Sequence, residues 1–173
     1  MTTISNILDR RSVRAFTRQE VSDNDILKML DAANWAPSGN NAQPWKFVVI
    51  KEDKRLLDEL AHQTKYYKWV KTSSCLIVVF LDRTTINDNI SNCYMKHVQA
   101  IGAAIQNILL TAQQLGIGTC WIGEILKNES RVKELLSITA DVELMAVIAV
   151  GYPSDREFKS KRTDLKEKII QWL

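Results

Sequence analysis

Apolar residues recur along this chain at two spacings, and the change from one to the other lays out its elements. Ile4, Ile7 and Leu8 form a short helical stripe that ends near a run of arginines. Ser22, with Asp25 three positions on, has the form of a capping box, and Ile26, Leu27, Leu30 and Ala33 follow at helical spacing. Pro37 stops that helix, because its ring clashes with the preceding turn and offers no N–H. Phe47-Val48-Val49-Ile50 reads as a strand directly after the Pro44-Trp45 corner, and Leu56, Leu57, Leu60 and Ala61 mark another helix. Cys75 to Leu81 is apolar without interruption, the pattern of a central strand covered on both faces. Residues 82 to 92 are polar and read as a loop.

The longest helical segment is predicted from about His97 to Leu115. Val98, Ile101, Ala104, Ile105, Ile108, Leu109 and Ala112 cover more than a narrow stripe, so this helix should be largely buried. Gly102, Ala103 and Ala104 would let another backbone approach closely. Gly116 and Gly118 end it ahead of a short strand, Thr119-Cys120-Trp121-Ile122. A helix near 129–136 precedes a buried strand from Leu144 to Val150, closed by Gly151. The order predicts an α/β or α+β sandwich with helices packed on a central sheet.

Composition narrows the picture. The 173 residues, 46% of them hydrophobic, suffice for one core and hardly two, so 1–173 is expected to form a single domain. The 23 basic and 20 acidic residues leave a formal charge of +3, which suits a protein that binds an anion and is too small to argue for nucleic acid. Cys75, Cys93 and Cys120 form no CxxC pair and His62 and His97 lie far apart, so no metal site is expected. Such thiols fit a reducing, cytoplasmic setting. Asp9, Arg10 and Arg11 break any N-terminal apolar run, against a signal peptide, and Cys75 to Leu81 is too short to span a bilayer.

Two segments carry candidate chemistry. Arg10, Ser12 and Arg14 alternate at period two, which in an extended segment puts them on one side, with Arg11 and Val13 pointing elsewhere. Two guanidinium forks with a hydroxyl between them suit a phosphate; a solvated basic turn would use the same residues. Pro37 and Pro44 restrict both ends of a loop in which Ser38, Asn41 and Gln43 present short donors and acceptors. That loop could read the edge of a heteroaromatic ring or simply cap its own backbone. Trp45 is expected in the core, and His97 is expected to be a satisfied structural histidine.

Taken together, Arg10-Arg11-Ser12-Val13-Arg14, Pro37-Ser38-Gly39-Asn40-Asn41-Ala42-Gln43-Pro44-Trp45, the stretch Leu115 to Gly123 and Gly151-Tyr152-Pro153 resemble, in register, the small, short-chain type of the FMN-dependent nitroreductase family. The resemblance covers nearly the whole chain. It implies an α+β, three-layer-like sandwich with a central mixed, mainly antiparallel sheet. It implies FMN, with Arg10, Arg11, Ser12 and Arg14 at the phosphate and pyrimidine side, and Pro37, Ser38, Asn41 and Gln43 beside the isoalloxazine. Trp121, Ile122, Gly123 and Glu124 would line the reactive edge, where an amide of the Gly123-Glu124 backbone is expected to serve catalysis. Arg162, with Lys161 or Lys159, would return to the phosphate and order there. Many members carry an acidic residue where this chain has Gln99-Ala100, and the 82–92 stretch is too short for the helical lid of larger members.

The resemblance further implies electron transfer from NADH or NADPH to an electron-poor acceptor (nitroaromatic, quinone or enone) in a ping-pong cycle, by a homodimer with FMN at its interface. Flavin or enone reduction, reductive dehalogenation, and a non-catalytic FMN-binding module are the alternatives. Neither GxGxxG after the first strand nor GxxxxGK[ST] occurs, which argues against the common dinucleotide and P-loop sites.

Overall fold

The computed structural model describes residues 2–154 and 160–173. Its elements begin with α1 (Thr3–Asp9) and α2 (Asp23–Asn34), followed by β1 (Trp45–Ile50), α3 (Lys54–Ala61), α4 (Tyr67–Val70) and β2 (Cys75–Asp82). The long helix α5 (Cys93–Gln114), β3 (Gly118–Ile122), α6 (Glu129–Leu135) and β4 (Val142–Gly151) complete the set. The strands pair in the order β1-β2-β4-β3, antiparallel throughout. The parallel component expected of a mixed sheet is reduced to one isolated bridge, Ser12 with Thr119.

Period-two alternation divides β2 between two cores. Cys75, Ile77, Val79 and Leu81 face α2 and α5, packing against Ile26, Met29, Ile101, Ile105 and Ile108. Leu76, Val78 and Phe80 face α3 and α6, among Leu57, Leu60 and Val132. Helices on both faces therefore explain the uninterrupted apolar run without requiring parallel neighbours. The result is the three-layer α+β sandwich the resemblance implied.

Local chemistry sets the element ends. Ser22 caps α2 by accepting from the Asp25 amide at 3.1 Å; the Asp25 carboxylate accepts from the Ser22 hydroxyl at 2.8 Å, in place of the Ser22 backbone N–H that a full capping box would engage. Trp45 is only 5% exposed, and its Nε1–H donates to Asn34 Oδ1 at 3.1 Å, which ties the end of α2 to the start of β1.

Four details depart from expectation. Helix α5 starts at Cys93, and its cap Asn92 takes a left-handed conformation whose side chain makes no bond to the helix amides, so it leaves no capping signature. Within 82–92, Asp82 caps a single 3₁₀ turn, Arg83–Thr85. A Cβ on Gly102 would meet nothing within 4 Å, so the close backbone approach expected there does not occur within the chain. The α1 stripe is exposed, Ile4 and Leu8 included, and the helix is anchored instead by Asn6, whose amide donates to Leu110 O at 2.8 Å. Residues 160–173 are exposed along their length, Ile169, Ile170, Trp172 and Leu173 among them. No described helix is long and apolar enough to cross a membrane.

Candidate active site

After α1, the chain runs extended along β3. Val13 N donates to Thr119 O at 2.9 Å, and the Val13 side chain turns inward against Gly118, where any Cβ would come within 2.9 Å of it or closer. With Val13 buried, Ser12 and Arg14 take the other side, as alternation requires. Arg11 bonds its guanidinium to the carbonyls of Leu8 and Arg10, closing the end of α1, and lines a separate hollow with Thr17, Gln113 and Tyr152.

Arg10 lies in a positive field. Burial first, then the charges of Arg162 and Arg11, draw its guanidinium below the ordinary arginine value. None of Arg10, Arg11, Arg14 and Arg162 makes a salt bridge to a described carboxylate. Arg162 thus lies within electrostatic reach of Arg10, and arginines free of described salt bridges are chemically suited to a phosphate. Lys161 is exposed beside Arg162, whose guanidinium bonds the Ser160 hydroxyl and the Lys161 carbonyl. Lys159 lies outside the described residues.

Cys120, which sequence reasoning passed over, belongs to this cluster. Burial pushes its thiol up, while Arg14, the Ser12 hydroxyl and Arg10 pull the other way. Its place on the strand was legible in the sequence, but its nearness to the arginine segment follows only from the bridge of Ser12 to Thr119. Cys75, by contrast, is pushed up to about 12 by burial in the sheet and is inert.

The Pro37–Pro44 loop gathers three of the left-handed non-glycine residues found among the described residues. Asn40, Asn41 and Gln43 hold φ of 54°, 53° and 48°, a left-handed region costly for residues with a side chain, and Gln43 does so before a proline. Ser38 organises the loop: its hydroxyl accepts from Gln43 N at 3.0 Å and its carbonyl from Asn41 N at 3.0 Å. Pro37, Asn41 and Gln43 are exposed, and the Gln43 amide donates to Asn41 O at 3.2 Å.

At the end of β3, Trp121 is exposed and Ile122 is buried, and Gly123 opens a 3₁₀ turn, Glu124–Asn128. A Cβ on Gly123 would meet nothing within 4 Å, and its φ of −90° suits any residue. This chain's own packing therefore does not need glycine there; the free space beside the backbone suits a flat ligand. The Glu124 side chain is engaged: Lys127 above all, then the Lys65 amide at 3.1 Å, hold its carboxyl below the usual carboxylate range. What Glu124 has left to offer is its backbone.

Strand order places the loop and the arginines far apart. The loop enters β1 at one edge, where Trp45 pairs with Leu81. The arginine segment adjoins β3 at the other edge, beside Thr119, which pairs with Val150 opposite Cys75. Three strand spacings across and six residues along a strand put these corners roughly 25 Å apart. Within one chain, the two segments do not meet.

Comparison with known proteins agrees with the fold and the motifs. A family model described as Nitroreductase family matches residues 7–65 and 58–152. A protein of Archaeoglobus fulgidus, provisionally named NADH dehydrogenase/NAD(P)H nitroreductase, is 37% identical over 154 residues, spanning 87% of this chain and 85% of its own. A Bacillus subtilis protein named FMN reductase (NADPH) is 29% identical over 175 residues, spanning 92% of this chain and 69% of its own. A crystal structure from Desulfovibrio desulfuricans, described as a nitroreductase in complex with FMN, superposes with a TM-score of 0.90 at 36% identity, covering 100% of this chain and 98% of that one.

Proposed function

The chain belongs to the nitroreductase family, and on that footing we propose that it is an FMN-dependent oxidoreductase carrying reducing equivalents from NADH or NADPH to a small electron-poor acceptor, such as a nitroaromatic, quinone or enone. The observation that carries this reading is the seating of Ser12 against Thr119 of β3 among arginines that make no salt bridge to a described carboxylate. Bound FMN supplies the hydride and electron transfer, in a ping-pong cycle. Arg10, Ser12 and Arg14 hold its phosphate side, with Arg162 and Lys161 returning to it. The amides of Asn41 and Gln43, set by Ser38 and Pro37, read the ring edge. Trp121, Ile122 and the Gly123-Glu124 backbone flank the reactive edge, where glycine keeps the approach open.

The roughly 25 Å between loop and arginines exceeds the length of FMN, which supports a homodimer in which each flavin takes arginines from one copy and the amide loop from the other. The exposed apolar residues of α1 and of the 160–173 segment, idle in a single chain, support the same assembly. Each copy then acts as one FMN-binding unit, and its free cysteines suit a cytoplasmic setting. Free flavin as the acceptor is the second reading, favoured by the relative named FMN reductase.

The test is a visible absorbance spectrum of protein supplemented with FMN, desalted, and then exposed anaerobically to NADPH and to NADH. Retained flavin bands that bleach within turnover time are expected, and the relative rates rank the two donors. Retained flavin that neither donor bleaches would leave a binding module, and no retained flavin would overturn the reading.

A further inference from the structure

The sheet edge opposite the arginines carries an open groove that no role given above uses. Strand β1 pairs with β2 alone among the described residues, so the backbone groups along its other edge have no strand beside them. Two hollows, of about 690 and 640 Å³, lie along that edge and share Leu27 and Leu30 of α2. We propose that this groove seats residues 165–173 of a second copy of this chain, which extend the sheet beside β1 with Trp172 as the anchor. The inference rests on the homodimer reading for its occupant and deepens it by naming the contact.

The groove is built for a strand. Alternation sends Phe47 to the core under α2 and α5, and Val48 to the core on the opposite face. Leu27 and Leu30 of α2 form one rim, and Leu56, Leu135 and Leu136 form the other. Leu27 and Val49 are exposed, so the apolar surface continues outward past β1 on the solvent side. A segment laid along this edge is covered on both faces, and its side chains must then be apolar on both sides.

Residues 169–173 meet that demand. In an extended segment Ile169 and Leu173 point to one side and Ile170 and Trp172 to the other, with Gln171 the single polar position. Ile169 already holds extended backbone, φ −91° and ψ 105°. In their own chain these side chains lie in solvent, Trp172 to 87% and Ile170 fully, and burying them against the groove is favourable. Charge agrees as well: Lys166 and Lys168 precede the apolar run, while Asp23, Asp31, Glu52 and Asp53 outnumber Lys46 and Lys51 along the groove. The segment's own groove is on the far side of its fold. Arg162 lies within electrostatic reach of Arg10 beside β3, and helices cover both faces of the sheet between β3 and β1. A second copy meets no such barrier.

The test pairs truncation with cross-linking, on protein supplemented with FMN. Removing residues 165–173 spares Lys161 and Arg162 and takes away only exposed side chains. The wild type should sediment as a dimer, and the truncated chain, with unchanged circular dichroism, should dissociate about a hundredfold more readily. Trp172→Ala should account for about tenfold of that loss, and Trp172→Phe should recover most of it. For the cross-link, Lys46→Cys or Val49→Cys chains are mixed with Ile169→Cys, Ile170→Cys or Leu173→Cys chains; the native cysteines are buried. After subunit exchange and mild oxidation, at least one mixture should give a covalent heterodimer. A truncated chain that dimerises as tightly as the wild type, or no cross-link in any mixture, would overturn the docking and leave the homodimer standing. A monomeric wild type would overturn both. A disulfide that forms only within single chains carrying both cysteines would seat the segment on its own groove and also overturn the proposal. Cross-linked dimers that hold no FMN would support the docking and count against the oxidoreductase reading alone.

Discussion

Arg10 keeps its charge in surroundings that oppose it, and that opposition has a measurable sign. Its folded-state pKa lies below the ordinary value, so at every pH below that value, neutrality included, holding the charge costs the fold something. A bound phosphate removes the penalty. Arg10→Met should therefore leave the Tm of the FMN-free protein unchanged or slightly raised while weakening FMN by about ten- to a hundredfold. A lower apoprotein Tm would mean that Arg10 is structural. Arg11→Ala should cost FMN far less, since that guanidinium serves the end of α1, although the resemblance counted it with the phosphate group. Gly123→Ala separates ligand space from packing in the same way. Its methyl group meets nothing in this chain, so denaturant unfolding of the apoprotein should shift by less than about 0.5 kcal/mol while flavin retention falls.

At the scale of elements, the helices and strands were legible because their signals are local. The Ser22 cap, the α2 stripe, the β2 apolar run and the glycines after α5 each lie within a short window of sequence, and each produced the expected element. What escaped was short or unsigned: α4 is a single turn, and the first turn of α5 lacks a side-chain cap. The Pro37–Pro44 loop was identified by its prolines, but its strain was not, because a left-handed Gln43 before Pro44 contradicts local preference. Such strain persists when a site requires it. Gln43→Gly should thus stabilise the apoprotein by about 1 kcal/mol in chemical denaturation and loosen FMN. Destabilisation instead would show that the Gln43 amide holds the loop together.

For the whole molecule, the sharpest consequence of the sheet order is complementation. If arginines and amide loop meet across two copies, Arg10→Met and Asn41→Ala chains should each retain little FMN alone. After mixing and subunit exchange, a heterodimer has one site with both lesions and one with neither, so up to one FMN per heterodimer should return. Mixtures that stay empty would argue against a shared site. Acid should weaken the fold through a different set of groups. Glu20, Asp25, Asp82 and Glu124 all sit below their ordinary values because lysines, hydroxyls and amides stabilise the charged form. Their contribution is present above the unfolded values of 3.8 for Asp and 4.5 for Glu and is lost as pH falls through the lower folded ones. A Tm flat above about pH 5 and falling below it is expected from a melting series.

The sequence by itself determined the elements, the two-faced burial of β2 and the residue types suited to hold a phosphate and a ring edge, since periodicity, capping and donor chemistry are properties of short windows. Only the tertiary structure decided that Arg162 and Cys120 lie within electrostatic reach of Arg10, that Lys96 and His97 share a cavity with the loop, and that loop and arginines occupy opposite corners of the sheet. Those relations follow from strand order and register, which are settled by how both faces of the whole sheet are buried at once and are encoded in no single segment.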